Sequence, residues 1–495
     1  MDVISILTAL TMPTADRFTL SPFEFFVLRT RTRFPFRYGI ASMTEVPHLF
    51  VRTIVTSGRA SAVGVTAEGL PPKWFTKDPS TTFEQDLPEM LDAIRHAAEI
   101  AVAGAAEPAS FFDLWRELNR LQFDWAASRG VASLVAGLGV ALVERAALDG
   151  LCRLAMTPVH RMVGENRLGL RLGEVYGDLR GREVKDLLPR QPLNACFVRH
   201  TIGLADAFSI GELAPQDRVD DGLPQDLESS IHAYGLRYFK LKLSGIADRD
   251  LARLADLARV LDRQTGGQFH VTIDGNENFE DFDAFRIFWE RVGAEPRLTE
   301  ICRRTIVVEQ PVHRDRALAD EAGDALKRWT DRPPLIIDES DGAIGDVPRA
   351  LALGYSGASY KNCKGIIKGI ANACLLAERR GQGQAGVLTG EDLCNLGPLA
   401  VQQDLAMMAI LGIGDVERNG HHYYRGLSML PAGWQEALLR EHSDFYVRHA
   451  AGFAHLLIVD GKLSLASVNR APFGVAPELD VTGFAPLEKL QPARI

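Results

Sequence analysis

Short apolar segments recur at regular intervals through the second half of the chain. Their length and content of β-branched and aromatic residues predict strands at eight positions: 194–199, 237–243, 269–274, 305–309, 334–338, 357–361, 385–389 and 413–417. Most intervening stretches have apolar residues near a period of 3.6, as in 251–261 and 366–379, which predicts amphipathic helices. Eight strands alternating with helices over about 230 residues are typical of a (β/α)8 barrel. The lack of a GxGxxG motif after the first strand disfavours the alternative, an open doubly wound sheet.

The two ends of the chain have different patterns. Strand candidates at 23–28 and 50–55 flank a predicted loop at 33–39, and helices are predicted at 83–103, 110–121 and 131–156. This order predicts an α+β domain over residues 1–160, followed by the barrel domain over 190–424. The segment 425–495 contains a predicted helix at 434–448 and a predicted strand at 461–465, and we expect it to return to the N-terminal domain.

Composition and charge narrow the class of protein. The 495 residues are 46% hydrophobic and 24% charged, which is ordinary for a globular protein, and the length favours two domains. A net charge of −9 without a long basic run argues against a nucleic-acid partner. The chain has no apolar run of the roughly 20 residues that span a bilayer, and its start lacks the basic region of a secretory signal. The six scattered cysteines form no CxxC pair, so we expect a cytoplasmic protein without a disulfide framework or zinc site.

Three carboxylates follow successive strand candidates in the middle of the barrel pattern. Asp274, Glu309 and Asp338 each come directly after an apolar run, one βα unit apart. Because active-site residues of such barrels lie at the carboxyl ends of the strands, the three side chains should converge. One such residue could simply cap the following helix. Three carboxylates at the same level of the barrel repel one another unless a hard cation binds them. Ligation by oxygen alone favours Mg²⁺, or Mn²⁺ in its place, over zinc.

Lysines flank these carboxylates on both sides. Lys240 and Lys242 share one face of the second strand candidate, because side chains alternate along a strand. Lys361 ends the sixth strand candidate and Lys364 follows it. Most lysines are solvated surface residues, but burial at a strand end near a cation can lower a lysine pKa enough for it to act as a general base.

Four further polar residues are candidates for contacting the substrate or supporting the site. Asn276 and Glu339 lie just beyond the third and fifth strand candidates. Glu391 follows the seventh, and Glu417 ends the eighth. Each of these signals is weak in isolation.

The ordered motifs resemble those of the enolase superfamily, and most closely its muconate-lactonizing-enzyme subgroup within the mandelate racemase family. The matching motifs are Lys-x-Lys at 240–242, Asp-x-Asn at 274–276, Glu-Gln-Pro at 309–311, Asp-Glu-Ser at 338–340 and the lysine at 361. The segments 139–149 and 472–475 also resemble the helix that leads into the barrel and the C-terminal segment that rejoins the N-terminal domain. The resemblance therefore implies a TIM-type barrel with an α+β capping domain that the C-terminal tail completes.

The resemblance also implies a chemistry. The three carboxylates would bind Mg²⁺, Lys242 and Lys361 would be acid/base residues on opposite faces of the substrate, and Lys240 would hold the enolate or carboxylate oxygens. Proton abstraction next to a carboxylate, through an enediolate, then leads to racemisation or epimerisation of a small carboxylic acid or amino-acid derivative. Elimination, as in a dehydratase or o-succinylbenzoate synthase, and cycloisomerisation are alternatives, and a non-catalytic ligand-binding barrel is a further one.

Three further expectations concern the substrate, the assembled form and the residues that determine specificity. We expect a small-molecule carboxylate as substrate and a homo-oligomer as the assembled form. Substrate specificity should lie in capping-domain loops around 33–48 and 65–80, because loops vary freely on such scaffolds.

Overall fold

A computed structural model of the chain describes residues 15–38 and 41–489. Among these residues, no helix is both long enough and apolar enough to cross a membrane. The six cysteines are all free thiols.

The N-terminal part forms an antiparallel sheet packed against long helices. Its strands are β1 (Arg17–Leu20), β2 (Glu24–Tyr38), β3 (Ala41–Ser57), β4 (Ala60–Gly69) and β5 (Ala109–Ser110). Its helices are α1 (Pro72–Phe75), α2 (Phe83–Gly104), α3 (Phe111–Arg129) and α4 (Ser133–Leu154). The apolar helix α4 lies so close to β4 that a Cβ at Gly64 would be 2.0 Å from the Ala146 carbonyl oxygen, so this contact requires a glycine. The three helices predicted in this region are confirmed.

The predicted loop at 33–39 is wrong for the residues that the structure describes there. The two predicted strands are parts of a long hairpin in which β2 continues to Tyr38 and pairs with β3 as far as Ala41. Pro35 lies where the register shifts, between Arg31 and Phe36. A bulge tolerates a proline because the missing N–H is not needed in the ladder, so proline did not end the strand here. Gly39 lies outside the described residues.

A closed parallel barrel follows three short helices, α5 (Val159–Gly164), α6 (Leu172–Val175) and α7 (Val184–Leu187). Its strands are β6 (Ala195–Ile202), β7 (Tyr238–Lys242), β8 (His270–Asp274), β9 (Thr305–Glu309), β10 (Leu335–Ile337), β11 (Gly357–Tyr360), β12 (Val387–Gly390) and β13 (Asp415–Glu417). The last strand pairs with the first, Val416 opposite Val198, which closes the sheet and confirms the predicted (β/α)8 fold.

Helices connect the barrel strands and bury their apolar faces against them. They are α8 (Leu227–Tyr234), α9 (Ala247–Thr265), α10 (Phe282–Ala294), α11 (Thr299–Arg304), α12 (Arg314–Ala317), α13 (Asp320–Arg328), α14 (Asp346–Leu353), α15 (Ile366–Gly381) and α16 (Leu399–Leu411). The short helix α17 (Gly420–Tyr423) follows the last barrel strand. The helices predicted at 251–261 and 366–379 are the central parts of α9 and α15.

The C-terminal segment contacts both the barrel and the N-terminal sheet. Its elements are α18 (Ala432–Glu441), β14 (Tyr446–Arg448), β15 (Ala454–Leu456), β16 (Lys462–Ser464), α19 (Ala466–Arg470) and β17 (Ala485–Pro486). The helix predicted at 434–448 ends at Glu441, and its last residues form a strand instead. The predicted strand near 461–465 is present but pairs with the barrel strand β6. The return to the N-terminal sheet is made by β17, which pairs with β2.

Candidate active site

The carboxyl ends of the barrel strands open into a cleft that the N-terminal domain covers on one side. Eight of the residues predicted from the sequence line this cleft: Lys240, Lys242, Asp274, Asn276, Asp338, Glu339, Lys361 and Glu417. The other three, Glu309, Glu391 and Lys364, are buried directly behind its wall.

Lys240 is the centre of a buried cluster of charges. Its ammonium nitrogen lies 3.0 Å from Asp274 Oδ2, 2.7 Å from Glu309 Oε2, 2.7 Å from Glu391 Oε2 and 3.2 Å from Glu417 Oε2. Burial alone would favour the neutral amine, but these four carboxylates outweigh it and raise the pKa of Lys240 well above its usual value. Lys240 is therefore a permanent positive charge at the floor of the cleft.

Lys242 and Lys361 reach the row of carboxylates from its two ends. Lys242 Nζ lies 2.5 Å from Asp274 Oδ2, on the same face of β7 as Lys240, as predicted. Lys361 Nζ makes a short contact with Asp338 Oδ2. Burial disfavours the charged form of Lys361, but Asp338 and Glu309 outweigh burial and raise its pKa. The sequence predicted a lowered pKa for a lysine beside a bound cation, and for Lys361 in that state the lowered pKa stays a prediction.

Lys364 supports Asp338 from behind the cleft wall. Its ammonium donates to the backbone oxygen of Asp338 at 2.7 Å and to Ser359 Oγ at 2.8 Å, and lies 2.8 Å from Asp338 Oδ1. The Ser359 hydroxyl donates to the same carboxylate. Lys364 thus orients a predicted metal ligand and does not line the cleft.

The three predicted metal ligands lie side by side on adjacent strands. Asp274 and Glu309 are opposite each other in the ladder, and Asp338 directly follows the next strand. All three are buried, and neither oxygen of Glu309 accepts a hydrogen bond from any described residue, although Lys240 is close to one of them. Burial and the nearby carboxylates of Asp274 and Glu391 raise the pKa of Glu309 well above its usual value.

The donor set fits a hard divalent cation. As the side chains are placed, no three His, Cys, Asp or Glu side chains within the described ranges surround one point closely enough to hold an ion, since each of the three carboxylates faces a lysine. The chemistry of the set is nevertheless that of Mg²⁺, with carboxylate oxygens only, and Glu309 Oε1 accepts no hydrogen bond from any described residue. A buried acceptor without a donor is costly, and a cation would satisfy it.

Asn276 and Glu339 stand at the edge of this row. The backbone N–H of Asn276 donates to Asp274 Oδ1 at 2.8 Å, and Asn276 itself has a left-handed φ of 49°. Glu339 is 6% exposed, and its Oε2 accepts no hydrogen bond from the described part of the chain. Burial and the neighbouring Asp338 raise the pKa of Glu339 to about 7. Both residues can contact a molecule bound in the cleft.

Glu391 and Glu417 are held by residues that the sequence reasoning missed. Arg199, fully buried on β6, donates to Glu391 Oε1 at 2.6 Å. Glu417 accepts from Asn419 Nδ2 at 3.0 Å and from the Thr201 hydroxyl. An arginine inside an apolar strand segment was a signal that could have identified Arg199, because an unpaired buried charge is rare.

The N-terminal domain contributes a rim from the segment 65–80, where specificity was expected, although the sequence did not single out its residues. The indole of Trp74, on α1, covers the ammonium of Lys361 at 4.4 Å. Lys77 lies 3.0 Å from Glu277 Oε2, and Arg314 pairs with the same carboxylate at 2.9 Å. The contacts that Trp74 and Lys77 make with the barrel join residues about 200 or more positions apart in the chain. Neither periodicity nor a local motif marks them.

Comparison with known proteins confirms the fold. No protein-family model matches the chain, and no curated protein matches it. Solved structures are similar at low sequence identity. A muconate lactonizing enzyme from Pseudomonas fluorescens complexed with muconolactone is 15% identical, with a TM-score of 0.56 over 90% of this chain and 94% of that chain.

Two further similar structures have other names. An N-succinyl Arg/Lys racemase from Bacillus cereus is 14% identical, with a TM-score of 0.55 over 83% of this chain and 89% of that chain. An enolase from Bradyrhizobium complexed with magnesium and mandelic acid is 13% identical, with a TM-score of 0.54 over 90% and 93%. The protein therefore has the fold of the mandelate racemase/muconate lactonizing enzymes of the enolase superfamily, a TIM-type barrel with an N-terminal capping domain, as the sequence motifs predicted.

Proposed function

We propose that this protein is an enzyme of the mandelate racemase/muconate lactonizing enzyme family that uses Mg²⁺ to remove a proton next to the carboxylate of a small organic acid. One observation carries the proposal. The ends of five successive barrel strands, β7 to β11, carry a lysine, three carboxylates and a second lysine in that order, in or directly behind the wall of one cleft. A structural ion-pair network has no need of this order.

The proposed site residues form two groups, one that binds the metal ion and one that transfers the proton. Asp274, Glu309 and Asp338 would hold the Mg²⁺. When bound there, the cation supplies positive charge beside the substrate carboxylate and so stabilises the negative charge that develops as the α-proton leaves. Lys242 and Lys361 would exchange that proton on the two sides of the α-carbon.

Lys240 provides a fixed charge for the same reaction. Its raised pKa keeps it protonated among the four carboxylates. It would therefore attract the carboxylate or enolate oxygens of the substrate without itself transferring a proton. Because the fold excludes bulk water from its position, at 1% exposure, this charge would act at low local dielectric.

Two lysines on opposite sides favour racemisation or epimerisation, in which the proton is removed from one face and returned to the other. A one-base elimination or a cycloisomerisation would use the same site and is the alternative reaction. The mass of the product separates racemisation from loss of water, since a racemase leaves the mass unchanged.

The test is deuterium wash-in at the α-carbon of a panel of single-enantiomer acids, including N-acyl amino acids and α-hydroxy acids, with and without Mg²⁺. We expect Mg²⁺-dependent exchange with at least one acid. Lys242→Ala should stop exchange from one enantiomer and spare the other, and Lys361→Ala should do the reverse. Lys327→Ala, at an exposed position on α13, is the matched control. If Lys361→Ala left exchange from both enantiomers intact, one base would remain and elimination would replace racemisation as the proposed reaction.

A further inference from the structure

Lys361 is enclosed by two groups of different chemistry. On one side its ammonium pairs with the carboxylate of Asp338. On another, the indole ring of Trp74 lies 4.4 Å from the ammonium nitrogen. The negative face of an indole attracts a cation, and the attraction is strongest where water is excluded. The Lys361 side chain is 5% exposed, compared with 11% for Lys242, so the lysines at the two ends of the carboxylate row differ in their access to solvent.

The backbone of Trp74 is attached to the barrel by a cluster of charges. Arg314 donates to the carbonyl oxygens of Trp74 at 3.1 Å and Phe75 at 2.8 Å. The guanidinium of Arg314 is itself fixed by two 2.9 Å hydrogen bonds to the carboxylate of Glu277. Lys77 adds a bond to the backbone oxygen of Asn276 at 2.5 Å. We call Lys77, Glu277 and Arg314 the clamp.

The clamp includes backbone that is costly to form. Lys77 and Glu277 have φ values of 51° and 61°, in the left-handed region that residues other than glycine rarely adopt. Such conformations persist only where the surrounding contacts hold them, and they concentrate at functional sites. Phe75 anchors the other side of α1, because it is 1% exposed within the apolar core of the capping domain. Trp74 is thus held from both domains.

We propose that Trp74 is a positioning residue for Lys361, and that the clamp holds it there. The inference rests on the proposed function, in which Lys361 transfers the α-proton. The indole blocks a further side of the ammonium, beside the side that Asp338 occupies. It therefore limits the positions of the Lys361 nitrogen and excludes water from it, whereas Lys242 at the other end of the row is more exposed.

The first test does not depend on turnover. Reductive methylation with formaldehyde and a borane, followed by mass spectrometry, measures the reactivity of Lys361 relative to Lys242 in the Mg²⁺-loaded protein. We expect Trp74→Leu to raise this ratio severalfold and Trp74→Phe to raise it much less, because phenylalanine keeps an aromatic face. Trp125→Leu, which removes a capping-domain indole stacked on His96, should leave the ratio unchanged. An unchanged ratio in Trp74→Leu would overturn the proposal.

The second test measures the effect on proton transfer. With an acid that the wild-type protein exchanges, Trp74→Leu should slow exchange on the Lys361 side about tenfold, which lies between the effects of an exposed and of a desolvated cation–π contact, and leave the Lys242 side unchanged. Trp74→Phe should restore most of the loss. Equal slowing on both sides would overturn the positioning role, since it would show that Trp74 is a general wall of the cleft. If the wild-type protein exchanges no acid at all, the proposed function fails. The methylation ratio still tests whether Trp74 covers Lys361.

Discussion

Replacing Lys240 by Met should destabilise the protein by about 3–5 kcal/mol in the absence of a divalent cation, because it leaves buried carboxylates without their shared partner. The substitution removes the charge and keeps a chain of similar volume. The four side chains whose carboxylates contact the Lys240 ammonium are each no more than 3% exposed, so water cannot replace the lost partner. Arg199 still pairs with Glu391, and Lys242 still pairs with Asp274. The loss in the free energy of unfolding therefore stays near the cost of breaking one buried ion pair.

Mg²⁺ should reverse much of this loss, because Asp274 and Glu309 lose their competing lysine. At a Mg²⁺ concentration about 100 times its dissociation constant, binding to the folded state adds about 2.7 kcal/mol. Urea unfolding with and without Mg²⁺ measures both quantities, and Lys327→Met, on the protein surface, is the control. The reasoning would be refuted if, without metal, the Lys240→Met protein were as stable as the wild type. It would also be refuted if the stability of the variant did not depend on Mg²⁺.

Three further outcomes are expected. Asp338→Asn should weaken Mg²⁺ binding in calorimetry by at least tenfold while the barrel still folds, and unchanged affinity would exclude Asp338 as a ligand. Stability should fall as the pH drops below about 6.5, the pKa of an unfolded histidine, because burial lowers the pKa of His200 to about 4 in the folded state. At pH 5 this one group costs about 2 kcal/mol, so urea midpoints at about pH 7.5 and pH 5 should differ, and less so in His200→Asn. Glu277→Gln should loosen the clamp and raise Lys361 methylation, but less than Trp74→Leu does, and no rise would show that the clamp does not hold Trp74.

The main features of the fold could be predicted from local patterns. Strands with β-branched and aromatic residues, and helices with a 3.6-residue period, reflect short-range physics, so eight barrel strands were found within a few residues of their bounds. Local patterns failed where pairing partners decided the structure. Pro35 indicated a loop, yet the register shift of the hairpin accommodates it. The helix predicted at 434–448 ends at Glu441, and residues 446–448 instead pair with strand β15.

The side chains predicted for the site lie at one end of the barrel for a topological reason. Once a parallel barrel is assumed, the residue after each strand must lie at one end of it, so Asp274, Glu309, Asp338 and the flanking lysines converge without any knowledge of the tertiary structure. Their pairing was a different matter. Side-chain positions within a few ångströms decide which carboxylates Lys240 contacts. These contacts in turn raise the pKa values of Lys240 and Glu309.

The sequence by itself determined the barrel, the order of lysines and carboxylates around it and the chemistry that this order favours, because these follow from short-range periodicity and the rules of parallel strands. Only the tertiary structure decided which residues of the capping domain meet the site. Trp74 and Lys361 are distant in sequence, and so are Arg314 and the α1 carbonyls that it holds. Contacts of this kind arise from the packing of one domain on another, which no local pattern encodes.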